Sequence, residues 1–294
     1  MIASTQSKPV VAPQHRVWDY KATIKTHVLD FRDRLERRII SDSLKKGDIV
    51  VGVEHSVRLG TSLCINNIRC TTCTYNCIYC ENGGPEVIST SRRECLSPYE
   101  LFIVVQDKLD SLKADGITID YISFNPTSEP TIDIALWREI GLLRDLGIPI
   151  AVFTNASLMW NPLVQDSLHC ADYISVKIDS VNDGTWRKID RPHTCLSLDQ
   201  ILNGIAEFST TYAGIFTTET MLVKGVNDTL GELEATGKFL RSLKRSHSFF
   251  MTPDQSTNPT HAESPDPAFM EHAADYISHN IPSSEVVTRV MELA

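Results

Sequence analysis

Short apolar runs alternate along this chain with longer segments in which apolar residues recur every three or four positions. The short runs have the character of β-strands and lie at residues 48–53, 62–66, 120–124, 149–154, 172–178, 218–223 and 249–252. The longer segments have the period of α-helices and lie at residues 98–114, 132–146, 161–169, 198–212, 229–243 and 266–279. Strands that alternate with helices predict parallel β/α units and hence an α/β fold. Roughly six units form either an incomplete barrel or an open doubly wound sheet.

The first 50 residues form a separate N-terminal extension. Apolar residues at helical spacing predict one helix over residues 18–46. We therefore divide the chain into an extension at 1–50, a main domain at 51–280 and a C-terminal tail at 281–294. The helix is expected to pack on the main domain, because its apolar face must be buried. The alternative is a basic arm that recruits RNA, since the extension carries ten Lys or Arg against six Asp or Glu.

Charge and composition narrow the function classes. The remaining residues, 51–294, carry 18 Lys or Arg and 31 Asp or Glu, and the whole chain of 294 residues has a net charge of −9. Nucleic-acid-binding domains usually present a basic face, so this balance favours a small-molecule substrate over RNA. No signal-peptide core and no run of about 18 apolar residues occurs, so no membrane segment is expected. Six of the eight cysteines lie between Cys64 and Cys95, which predicts a metal site in a reducing compartment and hence a cytoplasmic protein.

Three of these cysteines, Cys73, Cys77 and Cys80, follow a strand-like run with the spacing C-x3-C-x2-C. Three thiolates can hold three irons of a [4Fe–4S] cube and leave the fourth open, whereas electron-transfer clusters use four cysteines. The alternatives fit less well. Zinc knuckles are usually further apart than these cysteines, redox C-x2-C pairs accompany a thioredoxin-like unit, and disulfide frameworks belong to small secreted domains.

Other unusual residues also follow predicted strands, at 125–130, 154–155, 179–180 and 224–228. In both alternative folds, ligands bind at the carboxyl ends of parallel strands. We therefore expect these segments to form one site together with the cysteine loop.

Together with the cysteine loop, these segments resemble the radical S-adenosylmethionine (SAM) superfamily, in the iron–sulfur oxidoreductase group that includes the tRNA wyosine-forming enzymes. The likeness runs from about residue 52 to about residue 276, and its markers are SVRLGTSLCINN at 56–67, the cysteine loop, SEPT at 128–131, TNAS at 154–157, IDRPH at 189–193 and MLVKGVND at 221–228. The resemblance implies a partial (β/α)6 TIM-like barrel with an added N-terminal helix. It also implies one [4Fe–4S] cluster and SAM as cofactors.

The resemblance implies a role for each matching residue. Cys73, Cys77 and Cys80 would ligate the cluster, as catalytic and metal-binding residues. SAM would be held by Tyr79 and Val226 at the adenine, by Ser128 and Glu129 at the methionine amino group, and by the strand-end residues Asn155, Lys177, Asp179 and Ser180 at the ribose or carboxylate. A carboxylate suits an ammonium and Lys177 could donate to the SAM carboxylate. The alternatives are a strand-end ion pair for Lys177 and Asp179, and a turn-forming role for Asn155.

Three positions depart from the pattern of these proteins. Ser128, Ala156 and Cys64 stand where glycine is usual. Cys64, Cys70 and Cys95 could assemble a second metal site, but small buried thiols near the loop are the favoured interpretation.

The expected function is therefore a radical SAM enzyme, an oxidoreductase. An external one-electron donor of the flavodoxin or ferredoxin type would reduce the cluster, and SAM would be cleaved to methionine and a 5′-deoxyadenosyl radical. The radical would abstract hydrogen from a small metabolite or natural-product precursor. The first alternative is wyosine-type modification of tRNA or another RNA. The alternative from another class is an iron–sulfur electron carrier without SAM chemistry.

Overall fold

The computed structural model describes residues 49–68, 71–124, 127–253, 262–281 and 284–287, so the predicted helix at 18–46 lies outside the described residues. The strands are β1 (Val50–Ser56), β2 (Gly60–Ile65), β3 (Thr72–Cys73), β4 (Val87–Ile88), β5 (Tyr121–Phe124), β6 (Ile150–Thr154), β7 (Tyr173–Lys177), β8 (Ile215–Met221), β9 (Ser246–Met251) and β10 (Ser284–Val287). The helices are α1 (Pro98–Ala114), α2 (Leu136–Arg144), α3 (Pro162–Leu168), α4 (Asp183–Ile189), α5 (Leu198–Thr211), α6 (Leu230–Ser242) and α7 (Pro267–Asn280).

The main sheet in this part of the chain has the strand order β1-β2-β5-β6-β7-β8-β9-β10. β1 is antiparallel to β2, and every later pairing is parallel. A doubly wound sheet reverses its strand order at a switch point, whereas here the parallel strands follow one another in chain order. The sheet curls into a half-barrel, which confirms the prediction of an α/β partial barrel.

The two faces of the strands carry different residues. Alternate positions such as Leu63, Ile122 and Ile174 are fully buried and belong to the main apolar core, together with residues of the surrounding helices. The positions between them include buried polar groups such as Ser123 and Ser175. Because successive strand residues face opposite sides of a sheet, the apolar core lies under the helices and the polar groups face the barrel interior.

The β1–β2 hairpin closes one edge of this parallel sheet. Its tight turn needs Gly60, whose φ of +66° is strained for residues with a side chain. A Cβ at this position would also collide with the carboxylate of Asp120, which accepts a hydrogen bond from the Thr61 N–H at 2.9 Å. The hairpin places Arg58 in its turn, from which the side chain reaches Glu219 on β8.

Several predicted boundaries shift for local reasons. Helix α1 begins at Pro98 as predicted, but the Ser97 side chain makes no capping hydrogen bond. The helix predicted from residue 132 begins at Leu136, because Pro130–Ile132 forms a 3₁₀ turn capped by the Glu129 side chain.

Four elements were not predicted: the two-residue strands β3 and β4, helix α4 and strand β10. Helix α4 has only seven residues and buries only Trp186 and Ile189, too few to show a period. Strand β10 lies within the segment predicted as a tail and pairs in parallel with β9. Among the described helices, none combines the length and apolarity needed to cross a bilayer.

Candidate functional site

The cysteine loop is held at the carboxyl end of the barrel strands by hydrogen bonds of its own main-chain groups on two sides. On one side the Glu129 N–H donates to the Thr72 carbonyl at 3.1 Å, and the Thr72 N–H donates to Ser128 Oγ at 3.2 Å. On the other side the Ile78 N–H donates to the carbonyl of Ile189 at 2.9 Å. The segment after β5 and the end of α4 therefore position the loop. This arrangement brings the thiols next to the predicted SAM-binding segments.

A cavity of about 180 Å³ opens beside the loop, and we call it the thiol cavity. Its lining includes Cys73, Cys77, Glu129, Asn155, Lys177 and Glu219. Cys80 is half-buried in the following turn, where its N–H donates to the Cys77 carbonyl at 3.1 Å, and it does not line this cavity. The structure therefore brings two of the three predicted cluster ligands together with five predicted SAM contacts, since Tyr79 and Ser128 also line the cavity.

The three thiols have the donor chemistry of iron–sulfur cluster ligands. All seven cysteines in the described ranges are free thiols, and those ranges hold no convergent group of three His, Cys, Asp or Glu side chains. Three thiolates on different corners of an iron–sulfur cube need not converge on one point. Burial raises the pKa of Cys73 to about 12, with the charge of Glu129 adding to it. Burial, then the charge of Asp190, raises the pKa of Cys77. A bound metal cation would favour the thiolate form of both residues.

Glu129 lines the thiol cavity and also joins three loops. It is 2% exposed, and its Oε1 accepts from the Thr131 N–H at 3.1 Å, the Thr131 hydroxyl at 2.5 Å and the Thr154 hydroxyl at 2.6 Å. Among the described residues, the hydrogen bond that Oε2 accepts comes from the Asn155 N–H, at 2.8 Å. Burial raises the pKa of Glu129, and these hydrogen bonds oppose that rise. A carboxylate oxygen can accept two hydrogen bonds, so Oε2 retains an acceptor position for a ligand.

Asn155 connects Glu129 to the cysteine loop. Its Nδ2 lies 3.4 Å from Cys73 Sγ and donates to Thr74 Oγ1 at 2.8 Å, while its Oδ1 accepts the Ser157 N–H at 3.0 Å. The next residue, Ala156, has a φ of +62°, which explains why glycine is usual at this position in the resembling proteins. Asn155 thus has both the turn-forming role and a contact with a predicted cluster ligand.

Tyr79 lies in a buried network with two carboxyl groups. Its hydroxyl donates to Asp179 Oδ2 and lies 3.4 Å from Asp190 Oδ1, and Cys77 Sγ lies 3.3 Å from the same Asp190 oxygen. Asp179 also accepts the Met221 N–H at 2.7 Å. Burial, then the charge of Asp179, raises the pKa of Asp190. Asp179 therefore holds Tyr79 in place and does not line the thiol cavity.

Lys177 pairs with Glu219 and not with Asp179. Its Nζ lies 3.8 Å from Glu219 Oε2 and 4.8 Å from the centroid of the Tyr79 ring. Glu219 Oε1 accepts a hydrogen bond from Arg58 Nη1 at 2.5 Å. An ion-pair group of two cations and one carboxylate thus spans the barrel interior.

Ser180 and Val226 lie away from the thiol cavity. The Ser180 hydroxyl donates to Glu232 Oε2 at 2.7 Å and accepts the Asn182 N–H at 3.0 Å, so its hydrogen bonds run towards helix α6. Val226 lines a second cavity of about 350 Å³, which we call the Val226 cavity. Its lining also includes Ile78, Arg191, Val223, Lys224 and Glu263. Ile78 precedes Tyr79, so the cysteine loop contributes residues to both cavities.

The remaining cysteines take separate positions. Cys64 is fully buried on β2, where Ser123 Oγ lies 3.3 Å from its Sγ, and neither Cys64 nor Cys95 lines either cavity. Cys64 thus has the burial that the favoured interpretation expects, whereas Cys95 is only half-buried. Cys70 lies outside the described residues.

Sequence reasoning assigned no role to Arg58, Ser175, Asp190 or Glu219. Arg58 and Asp190 lie within motifs that carried the resemblance, so a charged residue inside a matching motif was an available signal. Glu219 is a charge in the middle of a strand-like run, which is unusual unless the charge is paired. Ser175 carried no such signal, because a serine in a buried strand is common.

Comparison with other proteins gives two kinds of similarity, while no known family model matches the chain. The chain is 40% identical over 205 residues to the UPF0026 protein of Methanocaldococcus jannaschii. The aligned region covers 70% of this chain and 63% of that protein. It is 30% identical over 266 residues to a Brachyspira hyodysenteriae protein named GTPase Obg, covering 89% of this chain but 38% of that protein. This sequence contains no G-x-x-x-x-G-K phosphate loop, so the GTPase activity in that name is not carried over.

Solved structures of radical SAM enzymes share the fold. A radical SAM methyltransferase from Sphaerobacter thermophilus aligns with a TM-score of 0.59 and 16% identity over 80% of this chain and 68% of that one. Streptococcus suis SuiB bound to its precursor peptide SuiA aligns with a TM-score of 0.58 and 13% identity, over 98% of this chain and 58% of that one. TYW1 with a lysine-pyruvate adduct aligns with a TM-score of 0.53 and 15% identity, over 74% of this chain and 73% of that one. At these identities the likeness shows the fold alone. None of them distinguishes the wyosine-forming group from other radical SAM enzymes.

Proposed function

We propose that this chain is a radical SAM enzyme that binds one [4Fe–4S] cluster and SAM. The observation that carries the proposal is the thiol cavity, in which two thiols of a C-x3-C-x2-C loop meet Glu129 and Asn155 at the carboxyl ends of the strands of a partial barrel. When bound, such a cluster supplies the electron that cleaves SAM to methionine and a 5′-deoxyadenosyl radical. Cys73, Cys77 and Cys80 hold the cluster in this proposal.

The surrounding residues bind and orient SAM. The open acceptor position of Glu129 Oε2 suits the SAM ammonium, and Ser128 and Asn155 lie beside it in the cavity lining. Tyr79 lines the thiol cavity, Val226 lines the Val226 cavity, and both belong to one apolar cluster, a region that suits the adenosine. Asp179 keeps Tyr79 in position, and Ser180 joins this region to helix α6.

The favoured substrate is a small metabolite or natural-product precursor, and the electron donor is an external flavodoxin- or ferredoxin-type protein of the cytoplasm. The acidic balance of residues 51–294 supports the small molecule over RNA. The buried polar interior supports an enzyme over an electron carrier, because a carrier has no use for a ligand cavity beside its cluster. A tRNA mobility shift that weakens steeply with salt would instead favour the wyosine-type alternative.

The test is anaerobic reconstitution with iron and sulfide. We expect about four irons per chain and, after addition of SAM and dithionite, 5′-deoxyadenosine detectable by mass spectrometry. Changing Cys73, Cys77 or Cys80 to Ala should abolish both signals. Cys170→Ala is the matched control, because this half-buried thiol lies outside both cavities.

Two outcomes would contradict the proposal. A single variant of Cys73, Cys77 or Cys80 that keeps a full cluster would show that the ligands are misassigned. A wild-type protein that holds a cluster but produces no 5′-deoxyadenosine would favour the electron carrier.

A further inference from the structure

One wall of the thiol cavity is formed by Ser175, Lys177 and Glu219 on the adjacent parallel strands β7 and β8, and we call it the inner wall. Ser175 is 2% exposed, and its Oγ has no hydrogen-bond partner among the described residues. Buried hydroxyls in native proteins almost always have a partner. A hydroxyl that lines a cavity without one points to a ligand in that cavity.

The charged groups of the inner wall differ in how closely their partners approach. Arg58 donates to Glu219 Oε1 at 2.5 Å, so this carboxylate already has a close cationic partner. Lys177 Nζ lies 3.8 Å from Glu219 Oε2, which is beyond hydrogen-bonding distance. An ammonium has three donors, and no donor of Lys177 makes a hydrogen bond to a described residue, although its charge lies near Glu219 and the Tyr79 ring. The inner wall therefore presents a cation with unused donors beside a hydroxyl that has no partner among the described residues.

We propose that Ser175 and Lys177 bind an anionic group of the substrate, either a carboxylate or a phosphate monoester of a small hydrophilic molecule. This rests on the proposed function, because it places the substrate in the same cavity as the thiols. It assigns Lys177 to the substrate, whereas the family resemblance implied a contact with SAM.

The test uses glycolate and inorganic phosphate as anionic probes and ethylene glycol as the neutral probe. Each is titrated by calorimetry into the full chain, with the cluster reconstituted and SAM present, and again into cluster-free protein. We expect at least one anion to bind and ethylene glycol not to bind. The tighter anion distinguishes a carboxylate from a phosphate.

Two variants and a control locate the binding. Ser175→Ala should weaken the anion about fivefold and Lys177→Met at least tenfold, as expected for neutral and charged hydrogen bonds. Ser62→Ala removes another buried hydroxyl that has no partner among the described residues but does not line the cavity, and it should have no effect. Iron content and SAM affinity should be unchanged in all three.

The proposal is overturned if neither anion binds, if both variants bind the anion like the wild type, or if Lys177→Met loses SAM affinity. The last result would assign Lys177 to the SAM carboxylate. Failure of the proposed function is a separate outcome, seen as wild-type protein that takes up no cluster or SAM. The titration of cluster-free protein still tests the inner wall in that case, because strands of the barrel carry its residues.

Discussion

The exchange Glu129→Gln tests the centre of the proposed SAM site while keeping the shape of the side chain. In the wild type, Oε1 accepts three hydrogen bonds and Oε2 accepts one, from the Asn155 N–H. A glutamine has a single acceptor oxygen and an NH₂ group. If its oxygen takes the position of Oε1, the NH₂ group faces the Asn155 N–H, and two buried donors are left without an acceptor.

The size of the effect on stability follows from this count. Each unsatisfied buried donor lowers the free energy of unfolding by about 1–3 kcal/mol. Removal of the buried charge offsets part of this loss. A net cost of about 2 kcal/mol corresponds to a fall of about 4–8 °C in melting temperature for a domain of this size. SAM affinity should fall at least tenfold, because a charge-assisted hydrogen bond is worth about 1.5–3 kcal/mol.

Thr131→Val separates the two effects. It removes the hydroxyl that donates to Glu129 Oε1 at 2.5 Å but keeps the charge, and Thr131 does not line the thiol cavity. We expect a fall in melting temperature without a change in SAM affinity. The assays are thermal unfolding and calorimetric SAM titration of reconstituted protein. Unchanged SAM affinity in Glu129→Gln would refute the reasoning, and a parallel loss in both variants would show that Glu129 acts only by joining the loops.

Two further variants test the surroundings of the site and the core. Asn155→Ala removes the amide 3.4 Å from Cys73 Sγ and should lower the midpoint potential of the reconstituted cluster by about 40 mV, the one-electron equivalent of about 1 kcal/mol. An unchanged potential in an EPR-monitored titration would contradict this. Burial raises the pKa of Glu139 well above its usual value, and its Oε1 has no partner in the described part of the chain. The wild type therefore loses stability as pH rises from the unfolded pKa of Glu139 towards the raised one. Glu139→Gln does not titrate at this position, so its melting temperature should rise relative to the wild-type value as the pH increases above about 4.5. A difference that does not change with pH would show that folding leaves the pKa of Glu139 unchanged and would contradict this.

Much of the fold could be predicted from local sequence patterns. The period of apolar residues and a proline at the first helical position predicted helix α1 at Pro98–Ala114 without error. The spacing of Cys73, Cys77 and Cys80 singled out their loop as a candidate site, since those residues are close in the chain. Elements such as α4 were missed, because they are too short for their apolar residues to show a period.

The partners inside the barrel were decided only by the tertiary structure. Asn155 lies 82 residues from Cys73, Tyr79 lies 100 residues from Asp179, and Arg58 lies 161 residues from Glu219. A periodic pattern shows that a strand exists, but it does not show which distant side chains the curled sheet brings together. The order and register of strands that are far apart in sequence therefore determine that Lys177 meets Glu219 and not Asp179, and that Ser175 faces a cavity.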